Sequence, residues 1–299
     1  MEWTECIRKT IQCLEQRLLD TEEELDVSGE VGVSTFYLQK GFRFMTGYTI
    51  AEYVRGRRLY LAALEVIADK EKVIDIALKY GYDTPESFTK AFSRFHGVSP
   101  MQLKKEPSRL HVFLPLKIKI EVQGGNDMDY VVEREESFRV VGFEREFSLD
   151  TSHADIPRFW EEIRAKYMDR LMRGEKPSTD IERTVWDCGV GMYGVCIDDR
   201  EEDGVFRYLI AGVYKGGEVP EGMTVYEVPG LTWAKFTCMG PLPGSLQSVN
   251  TKIYQEWLPG NPAYEIARSI NLEWYSEGDM DAIDYESAIW IPVVCKNVH

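Results

Sequence analysis

Long apolar runs are missing from this sequence. No stretch approaches the roughly 18 residues of a membrane-spanning helix, which excludes a helical membrane protein. Histidine is scarce, at 4 in 299 residues. The 6 cysteines (Cys6, Cys13, Cys188, Cys196, Cys238 and Cys295) form no C-x-x-C pair. Neither a zinc site nor a disulfide framework is therefore expected, and no metal or cofactor is implied. The start, Met1-Glu2-Trp3-Thr4-Glu5, has no basic stretch running into an apolar one. No secretory signal is expected, and a cytoplasmic protein with free thiols is the plain expectation. A nucleophile–base–orienter set is also missing, so the chain does not read as an enzyme.

What is present is enough for two folded domains: 44% hydrophobic and 12% aromatic residues over 299 positions. The net charge of −15 argues at first against a nucleic-acid partner. Its distribution argues the other way. Residues 28–105 hold 12 Lys/Arg against 8 Asp/Glu, whereas residues 108–299 hold 20 against 33. A further acidic cluster stands at Glu22, Glu23, Glu24 and Asp26. The basic block includes Arg55, Arg57 and Arg58, readable as a phosphate-facing patch or as a solvated helix face with structural arginines.

The most organised stretch is 73–100. Val73, Ile74, Ile76, Ala77 and Leu78 supply one apolar helical stripe, and Gly81 follows at a bend. Thr84 is placed to cap a second helix that starts at Pro85 and runs to about Phe95. In it Phe88, Ala91, Phe92 and Phe95 recur at helical spacing, leaving Glu86, Ser87, Lys90 and Arg94 on the other face. A locked rear face and a polar front make a helix-turn-helix, although periodicity alone also allows an ordinary helical hairpin. The device appears again upstream. Gly32-Val33-Ser34 is a turn and cap before a helix from Thr35 to Phe44, with Phe36, Leu38, Phe42 and Phe44 as apolar anchors. Thr49 to Ala68 reads as one connecting helix with Ile50, Tyr53, Val54, Leu61, Leu64 and Ile67 toward the core. Residues 3–19 form an amphipathic helix through Trp3, Ile7, Ile11, Leu14 and Leu18. Two such units on a rigid helix can reach successive major grooves, roughly 34 Å apart.

The strings G-V-S-T-F-Y-L-Q-K-G-F, T-G-Y-T-I-A-E-Y-V-R-G-R-R-L, D-I-A-L-K-Y-G-Y and S-F-T-K-A-F-S-R-F-H-G-V-S-P together resemble the DNA-binding domain of the AraC/XylS family of transcription regulators. The resemblance runs in order over about residues 20–105. It departs at the first helix of the first unit, where Val27, Ser28, Gly29 and Val31 replace better helix formers, and Gly41 falls inside the first recognition helix. It implies double-stranded promoter or operator DNA as a partner, with RNA polymerase as a further one. The DNA-binding candidates are Thr35, Phe36, Gln39, Lys40 and Arg43, then Pro85, Glu86, Ser87, Lys90 and Arg94. Gln suits adenine and Arg or Lys suits guanine.

After Pro100 the chain passes through Lys104-Lys105-Glu106-Pro107, then Leu110 to Val122, read as a strand or an extended linker. Gly124-Gly125-Asn126-Asp127 marks the start of a second domain. That domain reads as a duplicated β-α-β-β unit. Its first half has strands at Tyr130–Arg134, Phe138–Phe147, Trp186–Ile197 and Val205–Tyr214, and a helix from Ile156 to Leu171. The second half repeats the order with strands at Met223–Val228, Leu231–Cys238, Ile270–Trp274 and Ser287–Val294, and a helix from Leu246 to Trp257. Side by side, two such halves leave a cleft along a pseudo-two-fold axis.

The strings V-P-G-L-T-W-A-K-F, I-Y-Q-E-W-L-P, N-L-E-W-Y and A-I-W-I-P-V resemble the GyrI-like effector-binding domain. That domain also occurs in multidrug-sensing regulators, where it accepts amphiphilic, often cationic molecules. Both resemblances together imply a bacterial one-component regulator of Rob-like architecture. Its fold class is multidomain: an all-α N-terminal double helix-turn-helix domain (1–107), a linker (108–126) and an α+β GyrI-like effector-binding domain (127–299). Within Leu272-Glu273-Trp274-Tyr275 the family carries an acidic residue that faces the cleft, and Glu273 stands there. A carboxylate among rings attracts a desolvated cation. The effector-binding candidates are Glu273, Tyr275, Trp233, Tyr193, Tyr208 and Trp290, with Trp274 also in view; core packing is the plainer reading of each ring. The family's usual Glu before I-W-I-P-V is Ala288 here, with Glu286 two residues earlier as its candidate substitute. Three other functions compete: a regulator whose second domain only docks a protein, a hydrolase using Glu273 with Tyr193 or Tyr275, and, by fold analogy, a toxin or gyrase inhibitor.

Overall fold

The computed structural model describes residues 3–20, 27–118, 128–199 and 204–296. The chain divides into two compact units, 1–121 and 122–299. Among the described residues no helix is long and apolar enough to cross a membrane. The acidic cluster at 22–26 and the Gly-Gly-Asn-Asp stretch at 124–127 lie outside the described residues.

The first unit is built from helices α1 (Trp3–Gln16), α2 (Ser28–Val31), α3 (Thr35–Thr46), α4 (Ile50–Ala68), α5 (Val73–Lys79), α6 (Pro85–His96) and α7 (Pro100–Lys105). Three of these helices, α3, α4 and α6, start where the sequence caps them. Ser34 accepts from the Tyr37 amide, Thr84 from the Ser87 amide, and Thr49 with Glu52 makes a reciprocal capping box. Gly81 takes a positive φ of 82° in the turn between α5 and α6, which a side chain would strain. The second helix-turn-helix closes on Ile76, Ala77, Tyr80, Phe88 and Phe92, packed with Leu59, Ala62, Ala63 and Val66 of α4.

The core stripe of α4 is Tyr53/Val54, Gly56/Arg57, Leu59, Ala62/Ala63 and Val66, so Leu64 is exposed and Leu61 and Ile67 pack only at the margin. On α5 just Ile76 and Ala77 are buried, and Ile74 and Leu78 face outward, Leu78 with 55% of its surface exposed. A helix of 7 residues spans two turns and cannot bury five apolar positions on one side. The first helix of the first unit shrinks to the single turn of α2, ended by Gly32 in the left-handed conformation. α7 was not expected; Ser99 and Gln102 start it with a capping box.

Two of the three arginines read as a phosphate patch are structural. Arg57 is buried and donates to Glu15 through Nε (2.7 Å) and Nη2 (2.9 Å) and to the Phe113 carbonyl through Nη1 (2.5 Å). Arg58 donates to the carbonyls of Leu18 (2.7 Å) and Asp20 (3.0 Å). The described part of the stretch expected as strand or linker, 110–118, forms no strand and lies along the first unit. Phe113 meets the rings of Tyr48, Tyr53 and Phe95. The His111 amide donates to Nδ1 of buried His96 (3.3 Å), whose Nε2–H faces the Leu59 carbonyl (3.2 Å).

The second unit is one antiparallel sheet with helices. Its elements are β1 (Tyr130–Glu135), β2 (Phe138–Ser148), α8 (Ser152–Ile163), α9 (Asp169–Met172), α10 (Asp180–Cys188), β3 (Tyr193–Ile197), β4 (Val205–Val213), β5 (Thr224–Val228), β6 (Leu231–Met239), α11 (Gly244–Lys252), α12 (Leu258–Gly260), β7 (Tyr264–Ile266), β8 (Ile270–Tyr275) and β9 (Glu286–Cys295). The strand order is β1-β6-β9-β8-β3-β4-β2-β5, with β7 on β9. The order is symmetric about the β3–β8 pair, and each half lends its first strand to the other's edge. α8 passes into α9, and α11 into α12, through a π-helical turn, Arg164–Met168 and Ile253–Trp257 respectively. Trp186 to Met192 is not strand: Thr179 and Glu182 form a capping box that starts α10, and Trp186 lies exposed on it. β7 was not expected.

Candidate effector site and DNA-binding surface

Directly paired residues of an antiparallel sheet stand on the same face, so the register assigns every candidate ring to a side. Glu273 pairs with Gly194 on one flank and Ile289 on the other. This is the helix-covered face, where Tyr167 stacks on Phe143 (4.8 Å) and Trp257 meets Phe236 (4.9 Å). Leu272 points the opposite way and is fully buried in the other face's core.

On the Glu273 face the structure gathers three rings around one oxygen. The Tyr208 and Tyr275 hydroxyls both donate to Oε2 of Glu273, at 2.9 and 3.0 Å. The indole N–H of Trp160 donates to the Tyr208 hydroxyl at 2.9 Å, and its ring lies edge-on to Tyr275 at 5.3 Å. Both hydroxyls are held well above the usual tyrosine range, by burial first and then by the Glu273 charge. Gly194 makes this possible: a Cβ there would stand 2.1 Å from the Tyr208 hydroxyl and 2.9 Å from Oε2 of Glu273. The chemistry is that of an anion held by neutral donors. Among the described residues no Lys or Arg pairs with Glu273.

The remaining candidates are elsewhere. Tyr193 pairs with Trp274, Trp290 with Leu272, and Trp233 with Pro292, which puts all of them on the face away from Glu273. There Tyr193 and Trp233 each lie 6.2 Å from Trp290, and the ammonium of Lys235 sits 3.8 Å over the Trp290 ring while bonding Glu133 and Glu135. Tyr193 therefore cannot serve Glu273 as an acid partner. Ala288 pairs with Trp274, and Glu286 shares its face and is exposed, so Glu286 does not add charge beside Glu273. The pseudo-two-fold axis passes between Val195 and Leu272 and relates Glu273 to Cys196, so the carboxylate has no acidic counterpart across the axis. Trp160 and Gly194 were missed. Trp160 reads as one apolar position of its helix beside Phe159, Ile163 and Tyr167, and nothing local marks it as reaching β4 and β8.

In the first unit, Glu86, Ser87, Lys90 and Arg94 of α6 are exposed, over a rear face of fully buried Phe88 and Phe92, with Pro85 in the first turn. The Ser87 hydroxyl donates to the Thr84 carbonyl at 2.8 Å. On α3, Thr35, Gln39, Lys40 and Arg43 are half-buried, and the Lys40 ammonium lies 5.6 Å from the Phe36 ring. One terminal nitrogen of Arg43 is buried with no hydrogen-bond partner. Phe36 is a correction: at 1% exposure it is core, not surface.

Family models match both units: "Helix-turn-helix domain" over residues 27–106 and "Integron-associated effector binding protein" over residues 131–293. The second covers more than half of the chain. The transcriptional activator AarP of Providencia stuartii is 36% identical over 95 residues, 32% of this chain and 70% of AarP. The chain belongs to the AraC/XylS family. Its second unit is a GyrI-like effector-binding domain. The Tn10 TetD protein of Escherichia coli is 39% identical over 80 residues, 27% of this chain and 58% of TetD's own length. Among solved structures, SAV2435 bound to tetraphenylphosphonium has a TM-score of 0.44 at 20% identity, over 56% of this chain and 94% of that one. This last is a distant likeness of fold.

Proposed function

We propose that this AraC-family chain is a cytoplasmic transcription regulator that binds promoter or operator DNA through two helix-turn-helix units and is modulated by an amphiphilic cation bound at Glu273. The observation that carries the ligand half is the Glu273 carboxylate: it is held by two phenols and, among the described residues, by no cation, beside the Trp160 and Tyr275 rings. An anion in such surroundings is stabilised by an incoming cation, and the rings add cation–π attraction. The DNA half is supported by the exposed polar front of α6, whose Lys90 and Arg94 suit phosphates or guanine edges. α3 presents a less open front, so the second unit is the stronger reader. RNA polymerase is the natural further partner of a regulator at a promoter.

The test is a DNA-binding assay on the full chain, with and without lipophilic cations and a neutral analogue of matched size. Binding that responds to the cations and not to the neutral analogue is expected. Binding to no duplex, or the same response to both ligands, contradicts the reading.

A further inference from the structure

α4 serves both helix-turn-helix units, and its buried stripe changes partners half-way along. Before Gly56, Tyr53 packs toward Phe42 of α3, with 5.8 Å between ring centres. Beyond it, Leu59, Ala62, Ala63 and Val66 belong to the core of the second helix-turn-helix. Gly56 stands at the junction, and a glycine weakens a helix interior through its extra backbone freedom. Phe113 fills the space beside it: a Cβ on Gly56 would stand 2.9 Å from Cε1 of the ring. That ring touches both sides of the junction, Tyr48 (5.4 Å) and Tyr53 (6.1 Å) on one and Phe95 of α6 (5.8 Å) on the other. The flanking chain is tied in the same two directions. Nη1 of Arg57 donates to the Phe113 carbonyl at 2.5 Å, and the Leu116 amide donates to the Tyr53 hydroxyl at 3.4 Å. The His111 ring stacks on Phe95 at 4.6 Å, and its amide donates to Nδ1 of His96 at 3.3 Å. Val112 and Leu114 are exposed, so the segment is seated by His111, Phe113 and Leu116.

We propose that Phe113 is a positioning residue for DNA binding: wedged at Gly56, it fixes the two helix-turn-helix units so that α3 and α6 engage one duplex together. Two binding modules on one frame reinforce each other only when the frame holds them at the spacing of their sites. Unseating Phe113 leaves each unit its own core and its own polar front. What is lost is the stiffness of the α4 junction, and with it the coupling between the two contacts. This rests on the reading that both units contact DNA.

The test uses the full chain and a duplex that the wild type selects from a random pool, intact and cut to either half of its footprint. Phe113→Ala is expected to bind the intact duplex about 10-fold more weakly, and each half-duplex as the wild type does. Gly56→Ala displaces the same ring from the other side while making α4 a better helix. It should weaken the intact duplex to a similar extent, and it covers the case in which Phe113→Ala does not fold. In the double variant the two losses should not add, because one wedge is removed only once. Equal weakening on intact and half duplexes, or additive losses, shows general damage and overturns the positioning role. Wild-type affinity of Phe113→Ala for the intact duplex overturns it as well, and leaves the two-unit reading standing. A half-duplex that binds the wild type as tightly as the intact one overturns both.

Discussion

Gly194→Ala is the sharpest probe of how Glu273 is held. The new Cβ would stand 2.1 Å from the Tyr208 hydroxyl oxygen and 2.9 Å from both the Tyr208 Cζ and Oε2 of Glu273. Ordinary contact needs more than an ångström of further separation at the hydroxyl, and Tyr208 is fully buried, so the ring has no free volume to retreat into. Its charge-assisted bond to Glu273 breaks, at about 1.5–3 kcal/mol, and the bond from Trp160 goes with it, at about 1 kcal/mol. Partial relaxation offsets some of this, which puts the destabilisation at about 2–4 kcal/mol, within the range of overpacked cores. Urea unfolding of the full chain, followed by a probe in the second unit, measures it. Gly244→Ala is the control, since a Cβ there meets nothing within 4 Å and no positive φ is involved. If Gly194→Ala unfolds within about 0.5 kcal/mol of that control, Tyr208 does not lie across Gly194 and the described cluster is wrong.

Two further outcomes follow from the first unit. Lys90→Ala removes an exposed cation from the front of α6, so it should weaken operator binding and lower the salt dependence by about one counterion; unchanged affinity and slope in a titration across salt concentrations would take α6 off the DNA. His96 is buried and neutral, with its pKa depressed by burial first and by the neighbouring His111. A base with a depressed folded value contributes stability that is present above its ordinary pKa of about 6.5 and lost as pH falls through the lower folded value. The first unit should therefore lose stability below about pH 6.5, and His96→Gln should flatten that dependence; identical pH profiles in thermal unfolding would count against it.

The parts of this fold that were legible in the sequence are those fixed by local chemistry. α6 is the clearest: a Thr84 cap, Pro85 in the first turn and phenylalanines at helical spacing, with Phe88 and Phe92 fully buried. Strand alternation likewise put Leu272 in a core and Glu273 on the other face. α4 misled because its buried stripe includes Gly56, Arg57, Ala62 and Ala63, which do not read as apolar anchors, while Leu64 does. Arg57 belongs inside because Glu15, 42 residues earlier, and the Phe113 carbonyl, 56 residues later, satisfy its guanidinium. The candidate effector rings were half legible for the same reason. Which of them stand beside Glu273 depends on how β3, β4, β8 and β9 are paired, and a one-residue change in register exchanges the faces. Tyr208 and Tyr275 lie with the carboxylate, and Tyr193, Trp233 and Trp290 do not. Trp160 arrives from α8, across a sequence separation of 48 residues from Tyr208.

The most direct test of the account is the affinity of the full chain for tetraphenylphosphonium, measured by calorimetry in wild type and in Glu273→Gln. The substitution keeps the size of the side chain and its ability to accept from Tyr208 and Tyr275, and removes the charge. The account predicts a loss of about 1–3 kcal/mol, the scale of a charge-assisted contact, which is roughly 5- to 150-fold in Kd. Equal affinity in the two proteins would contradict it.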